Sequence, residues 1–396
     1  MSEGRVAADP DAWKSARILI VDDNDDNRQL LSMVMKRAGL RDLAFAADGV
    51  EGLDQVFAFK PDLVLLDVQM PNMDGYEMCR RVRQDEANID LPVIFQTALT
   101  GSDERVACFE AGGTDLVSKP INRREVVSRV RIQLEKRFLI RELDAFRRRV
   151  AQELAQARSM QAGLAPPIKT IEALSDRVGA RIQARFRPSS EVGGDMWTLF
   201  PFDGRRFGLL LADFAGHGVG AAMNAFRLHA MASALDADTL SDPGALLTLL
   251  NDRLCGLLPL GQFATAFYGV LDLEAGRLLT APAGAPGAFF GGPGRAPEMI
   301  ESRGRFLGVS KKSTFETRAQ DLPERGWLFA YSDALSDAVD HDGEKIAEAG
   351  VGERAAEAAE RPLQERLSAM MAPLDSGAFD TDDDLTAIWI DWTGDA

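Results

Sequence analysis

Within the first 125 or so residues, five short apolar runs alternate with stretches of helical character: Ile18–Val21, Leu43–Ala46, Leu63–Leu66, Val93–Phe95 and Leu116–Val117. That alternation predicts a parallel sheet covered by helices. In such sheets the chemistry gathers in the loops beyond the C-terminal ends of the strands. Asp22 and Asp23 follow the first run, Asp67 the third, Thr97 the fourth, and Lys119 with Pro120 the fifth. Any one of them alone reads as an ordinary loop residue, but the set does not. Three carboxylates about 4 Å apart repel by roughly 4 kcal/mol per pair at an effective dielectric near 20, so a cation is expected among them. A divalent ion there neutralises the cluster and orients a phosphoryl group.

The corner Val21-Asp22-Asp23, the loop Asp67-Val68-Gln69-Met70-Pro71-Asn72-Met73-Asp74-Gly75, Thr97-Ala98 and Lys119-Pro120 together resemble the response-regulator receiver family. The resemblance implies a flavodoxin-like α/β fold with Asp67 as the nucleophile that accepts phosphate from a sensor histidine kinase or phosphotransfer protein. It also implies Mg²⁺ held by Asp22, Asp23, Asp67 and the Gln69 carbonyl, with Thr97 and Lys119 on phosphoryl oxygens. One position departs from the family: three residues before the lysine, where a rotating aromatic is usual, stands Leu116.

Composition narrows the chemistry. A chain of 396 residues, 46% hydrophobic and 27% charged, fits two globular domains. No apolar run approaches the roughly 20 residues of a membrane span, and the first sixteen residues lack the apolar centre of a secretory signal. The three cysteines, Cys79, Cys108 and Cys255, lie far apart without metal-type pairing, which suits a reducing cytoplasm. A formal net charge of −16 opposes nucleic-acid binding. With three histidines and abundant Asp, bound metals are expected to be oxygen-preferring Mg²⁺ or Mn²⁺.

From Arg123 neither Gly nor Pro interrupts the chain until Gly163, which predicts one long helix. Its apolar positions Leu139, Leu143, Phe146, Val150, Leu154 and Ala157 step by four, three, four, four and three. That is a heptad seam with a stutter, and it predicts a parallel coiled-coil homodimer, against the plainer alternative of an amphipathic helix packed on its own domain. The basic run Arg147-Arg148-Arg149 reads as a solvated face. The expected organisation is a loose tail over 1–16, a receiver over 17–136, a coiled-coil linker over 137–166 and a second domain over 167–396.

In that last part apolar runs at Ala180–Phe186, Phe207–Ala212, Thr265–Leu271, Leu278–Ala283, Trp327–Tyr331 and Leu385–Ile390, with a helix near 220–235, predict a layered α+β sandwich. Asp195, Asp213, Asp333 and the pair Asp383-Asp384 sit at strand ends. Singly these read as turn or cap residues; as a set they make an oxygen-rich cage for two hard cations able to activate a water against phosphorus.

The series Glu191-Val192-Gly193-Gly194-Asp195, Leu211-Ala212-Asp213-Phe214-Ala215-Gly216-His217-Gly218, Phe263 to Tyr268, Phe306 to Val309, Tyr331-Ser332-Asp333 and Asp383-Asp384-Leu385-Thr386 resembles the RsbU/SpoIIE branch of the PPM (type 2C) Ser/Thr phosphatases. The stretch Glu153 to Pro167 resembles the segment preceding such domains. The resemblance implies a PPM-type sandwich with two Mn²⁺ or Mg²⁺ on Asp213, the Phe214 carbonyl, Asp333, Asp383 and, directly or through water, Asp195. It implies as substrate a phosphoserine or phosphothreonine on a STAS-domain anti-sigma-factor antagonist. His217 is a candidate general acid or a structural residue. Gly193-Gly194-Asp195 is followed by Met196-Trp197, not by the Glu-Phe of a diguanylate cyclase signature. Pro282-Ala283-Gly284-Ala285 stands where the family has Asn-Ala-Gly-His, and Ala334 stands where it has Gly. The expected function is a receiver-controlled phosphatase; the alternative is a pseudophosphatase adaptor that sequesters a sigma-pathway protein. A transcription factor lacks a helix-turn-helix candidate and conflicts with the acidity.

Overall fold

The five apolar runs of the first part become β1 (Arg17–Val21), β2 (Asp42–Ala46), β3 (Leu63–Asp67), β4 (Val93–Thr97) and β5 (Asp115–Ser118). In this computed structural model, which describes residues 11–98, 102–189, 192–216, 218–259, 261–300 and 304–394, they pair in parallel in the order β2-β1-β3-β4-β5. That is the flavodoxin-like order. β3 and β4 are buried throughout because helices cover both faces of the sheet.

The intervening helices are α1 (Asp25–Arg37), α2 (Gly49–Phe59), α3 (Gly75–Arg83) and α4 (Ser102–Glu110). Asn24, Asp48 and Asp74 cap the first three, their side chains accepting from N–H groups of the first turn. Some acidic loop residues are therefore caps, which separates them from Asp22, Asp23 and Asp67. The loose tail expected over 1–16 is corrected from residue 12 onward. Ala12–Ser15 form a 3₁₀ turn, and Trp13 is buried among Ile18, Leu31 and Val130 because an indole gains more inside a core than in water. Residues 1–10 lie outside the described residues.

The chain divides into two compact units between Val150 and Ala151, within α5 (Arg123–Ala162), a single helix of 40 residues. In the first unit Val126, Val130 and Leu134 bury one face of α5 against the receiver core, and Arg137 Nη1 donates to the Asp90 carbonyl at 2.9 Å. Beyond this the face changes character. Leu139, Leu143 and Phe146, of the predicted seam, are 66%, 54% and 58% exposed, so no described residue of the same chain covers them.

The second unit begins with α6 (Ile168–Val178) and holds two antiparallel sheets. One contains β7 (Met196–Pro201), β8 (Arg206–Phe214), β9 (Ala264–Asp272), β10 (Arg277–Ala283) and β13 (Arg318–Asp321), in the order β13-β10-β9-β8-β7. The other contains β6 (Ala180–Arg187), β11 (Ala288–Gly291), β12 (Glu298–Ile300), β14 (Gly326–Tyr331) and β17 (Leu385–Trp392), in the order β12-β11-β14-β17-β6. A core that includes Leu209, Phe267, Phe290, Leu328 and Ile390 lies between them.

Helices α7 (Val219–Ser233), α8 (Ala237–Ser241) and α9 (Pro243–Leu254) cover the first sheet, and α10 (Asp333–Ser336), α11 (Ala347–Ala359) and α12 (Arg366–Asp375) the second. A small ribbon pairs β15 (Val339–Asp340) with β16 (Phe379–Asp380). All eight residues of β17 are buried, Thr386 and Asp391 among them, as suits a central strand whose other six residues are apolar. Among the described residues no helix is long and apolar enough to cross a membrane.

Candidate functional site

In the first unit Asp22, Asp23 and Asp67 each offer an oxygen, and the three lie within 4.8 Å of one another. Parallel pairing brings them together, since β1 and β3 are neighbours and end at the same level. Asp22 is fully buried; its carboxylate accepts from Asn24 N at 2.9 Å, from Asn27 Nδ2 at 3.1 and 3.2 Å, and from Lys119 Nζ at 3.0 Å. Asp67 accepts from its neighbour Val68 N at 2.9 Å and pairs with Lys119 Nζ at 2.7 Å. Asp23 is exposed.

Burial raises the Asp67 carboxyl above the usual range, with Lys119 pulling the other way. Burial works against the Lys119 ammonium, yet Asp67 and Asp22 outweigh it and raise its pKa. Thr97 is buried at the end of β4, and its carbonyl accepts from Lys119 N at 2.7 Å. Gln69 lies two residues past Asp67 with an exposed side chain. Gly75 is required where it stands, because a Cβ there would collide with the Asp67 carbonyl. Leu116 is buried on β5 opposite Phe95, and the aromatic that packs on Phe95 is Tyr76 of α3, at 5.4 Å between ring centroids.

In the second unit the register of β7 and β8 pairs Met196 with Ala212, which sets Asp195 beside Asp213. Phe214 N donates to the Gly194 carbonyl at 3.3 Å, closing the same corner. Asp195 is 1% exposed: Oδ2 accepts from Thr386 Oγ1 at 2.6 Å, while Oδ1 is buried with no hydrogen-bond partner. Burial, and then the charge of Asp213, push its pKa well up. Asp213 is pushed up to about 7, by burial first and then by Asp333, Asp383 and Asp384. Asp333 opens α10 behind Ser332 and is raised by burial and by Asp383. Asp383 is exposed.

Among the described residues of this unit, no three acidic, histidine or cysteine side chains bring one ligand atom each within 4.8 Å of one another. Asp213 senses the charges of Asp333, Asp383 and Asp384, and Asp195 that of Asp213. Their donor set is all oxygen, and the unpartnered Asp195 Oδ1 is the kind of group a hard cation satisfies, so the residues fit Mg²⁺ or Mn²⁺. The first-unit trio fits Mg²⁺ in the same way.

A supporting layer escaped the sequence reading. Asp384, buried beside exposed Asp383, accepts from Gly194 N at 2.5 Å and from Ser189 N and Oγ at 2.8 and 3.0 Å. A Cβ on Gly193 would collide with that carboxylate, and one on Gly194 would meet the Phe214 carbonyl, so both glycines serve close approach. Ser332 Oγ donates to the Asp384 carbonyl at 3.0 Å and accepts from Thr386 N at 2.8 Å, tying Asp333 to the Asp383-Asp384 corner.

Gln161, 3% exposed near the end of α5, holds the loop from its other side. Its Nε2 donates to the carbonyls of Gly193 at 2.8 Å and Asp195 at 3.3 Å, and its Oε1 accepts from Gly193 N at 3.0 Å. The signal for Gln161 was a polar residue on a helix, which normally marks a wet face.

Of the departures from the family pattern, Ala334 sits buried in the core under α10, and Gly284 keeps the positive φ of 77° that its position requires. Ala285 is 7% exposed. His217 and Glu191 lie outside the described residues.

Residues 18–131 match the model of the family described as response regulator receiver domain, and residues 203–393 that of stage II sporulation protein E (SpoIIE). The chain is similar to the DNA-binding dual master transcriptional regulator RpaA of Synechocystis, 37% identical over 120 residues, which are 30% of this chain and 49% of that protein. It is similar to the response regulator PleD of Caulobacter vibrioides, 34% identical over 183 residues, 45% of this chain and 40% of PleD. The chain thus spans about half or less of the length of these curated relatives. The SiaA-PP2C domain of Pseudomonas aeruginosa shares the fold of the second unit, with a TM-score of 0.56 at 20% identity, covering 63% of this chain and 99% of that one. The chain thus joins a response-regulator receiver domain over residues 18–131 to a SpoIIE-family domain over residues 203–393, the second with the PPM (PP2C-like) fold.

Proposed function

We propose that phosphorylation of Asp67 controls a metal-dependent phosphoserine/phosphothreonine protein phosphatase in the second unit. The donor is a sensor histidine kinase or phosphotransfer protein: an Asp67 oxygen bonds phosphorus as the donor's nitrogen–phosphorus bond breaks, and Lys119 and Thr97 receive the phosphoryl oxygens. Asp22, Asp23, Asp67 and the Gln69 carbonyl are the holders of Mg²⁺, which offsets the charge of the transferred group. Asp195, Asp213, the Phe214 carbonyl, Asp333 and Asp383 would hold two Mn²⁺ or Mg²⁺, whose chemistry when bound would be to lower the pKa of a water and offset charge on the phosphoryl oxygens. Thr386, Asp384 and Gln161 keep Asp195 in place. The substrate is a phosphorylated STAS-domain anti-sigma-factor antagonist, a reading supported by the RsbU/SpoIIE-like motif series. The exposed stripe of Leu139, Leu143 and Phe146 supports a homodimer through α5.

The observation that carries the gating is one element with two ends. α5 starts four residues after Lys119, and near its other end Gln161 grips the loop of Asp195. The test is Mn²⁺-dependent hydrolysis of a phosphoserine substrate by the full chain, with and without acetyl phosphate. Equal response to acetyl phosphate from the native chain and from Asp67→Asn would defeat the gating.

The altered segment Pro282-Ala283-Gly284-Ala285 favours a second reading, a pseudophosphatase adaptor that binds its partner without turnover. No hydrolysis at saturating Mn²⁺, with stoichiometric binding of the antagonist, decides for it.

A further inference from the structure

After Asp333 and α10 the chain enters a tight reversal. Gly343, at a φ of 85°, turns it back; Gly343 N donates to the Asp340 carbonyl and Asp340 N to the Glu344 carbonyl, both at 3.0 Å. Val339 bridges Lys345, and Ile346 N donates to the Ala338 carbonyl at 3.0 Å. Ile346 is 7% exposed and anchors this return in the core. Lys345 precedes it, bridged to Val339, and its side chain is 56% exposed.

Lys345 lines a cavity of roughly 600 Å³ together with Asp333, Ala285, Met299 and Phe306. On the other side of Asp337 a cavity of roughly 450 Å³ is lined by Asp380, Asp382 and Asp383. Among the described residues lining the two cavities, Lys345 is the one cation. A phosphoryl dianion moving toward Asp333 meets a rim of carboxylates, so a positive charge at that rim decides whether it can dwell there. Lys345 Nζ rests on Asp337 Oδ1 at 2.9 Å, and both side chains are more than half exposed. Such a pair is weak and readily exchanged for a better anion.

We propose that Lys345 is a substrate-binding residue of this site, leaving Asp337 to contact a phosphoryl oxygen of the phosphoserine held beside Asp333. The proposal rests on the phosphatase reading above. The chemistry is that of a flexible ammonium acting as a point charge on phosphate. Asp337 is then a competitor for the same ammonium, so removing its charge should help the substrate, whereas for a merely structural ion pair removing either partner has the same effect.

The test uses the full chain with Mn²⁺ and p-nitrophenyl phosphate. Lys345→Gln is expected to raise KM and the inhibition constant of inorganic phosphate about tenfold, the scale of one charge-assisted contact, with kcat and Mn²⁺ affinity little changed. Lys345→Glu should go further, Lys345→Arg should restore most of the loss, and Asp337→Asn should lower KM. Unchanged KM and phosphate inhibition in both the Gln and Glu variants would overturn the proposal, as would Asp337→Asn reproducing the Lys345→Gln defect. If the native chain hydrolyses nothing, the phosphatase reading fails separately. Calorimetric titration of inorganic phosphate into the Mn²⁺-loaded chain then judges Lys345, and equal affinity in the native and Lys345→Glu proteins rules it out.

Discussion

Replacing Gln161 with leucine removes three hydrogen bonds from the loop that carries Asp195 while keeping a side chain of similar size in a site only 3% exposed. The two shorter bonds, to Gly193 O at 2.8 Å and from Gly193 N at 3.0 Å, each contribute about 1 kcal/mol net, and the longer contact with Asp195 O less. A loss of about 2 kcal/mol on the ordered loop lowers its population relative to displaced forms by roughly thirtyfold. The backbone groups of Gly193 are left buried beside an apolar side chain, so the loop, and with it Asp195, is pushed toward water. In the full chain, Mn²⁺-dependent hydrolysis of p-nitrophenyl phosphate should fall at least tenfold at fixed Mn²⁺, with the Mn²⁺ requirement rising in parallel and the receiver still phosphorylated normally. Gln161→Glu should be at least as damaging, because a carboxylate oxygen then faces two carbonyls. A Gln161→Leu protein with native Mn²⁺ dependence and native rate would refute the claim that this residue holds the loop.

Three further outcomes follow from the same geometry. Asp67→Asn should abolish the response to acetyl phosphate and leave the unstimulated phosphatase rate within about twofold, since Asp67 belongs to the first compact unit and shares no partner with the proposed hydrolytic residues of the second; a changed rate before phosphorylation contradicts this. Thr386→Val removes the 2.6 Å donor from Asp195 Oδ2 and leaves a buried carboxylate with neither oxygen paired, so the stabilisation gained from Mn²⁺, followed as the rise in Tm on titration, should shrink measurably. Leu143→Asp places a charge in the exposed stripe of α5; analytical ultracentrifugation should show the assembly shifted to monomer at micromolar concentration, and an unshifted dimer would show that the stripe is not its seam.

Much of the fold was legible because its central strands are apolar runs with few rivals: β3, β4, β8 and β17 fall within two residues of their predicted spans at either end. Edge and short strands such as β12 and β13 carry too little apolar pattern to stand out. The first-unit trio was legible for a topological reason, since neighbouring parallel strands ending together must bring their terminal residues together. The second site was less so. Asp195 and Asp213 meet through antiparallel register, but the gap from that pair to Asp333 and Asp383 depends on how two sheets and α10 are stacked, which no local pattern records. Adjacent aspartates at 383 and 384 look equivalent in sequence, yet alternation along the entry to β17 turns one outward and buries the other against two glycines.

Leu116 bears on how a signal could leave the receiver. A buried leucine opposite Phe95 has no ring to swing between inner and outer positions, and the neighbouring aromatic, Tyr76, belongs to α3 instead. What remains in direct line with the chemistry is Lys119, paired with both Asp22 and Asp67 and separated from α5 by three residues. On the proposed gating, phosphate on Asp67 would offer Lys119 a new partner close to the start of α5. The start of α5 is itself fastened to β5, with Arg129 paired to Asp115 and Glu125. From that start α5 continues as one helix of 40 residues to Ala162. Its last turn carries Gln161, whose three hydrogen bonds to Gly193 and Asp195 are the contacts on which the proposed gating would act. A clamp of a few short-range bonds either holds the Asp195 loop or releases it, and that two-state character is what the proposed control by Asp67 would require of it.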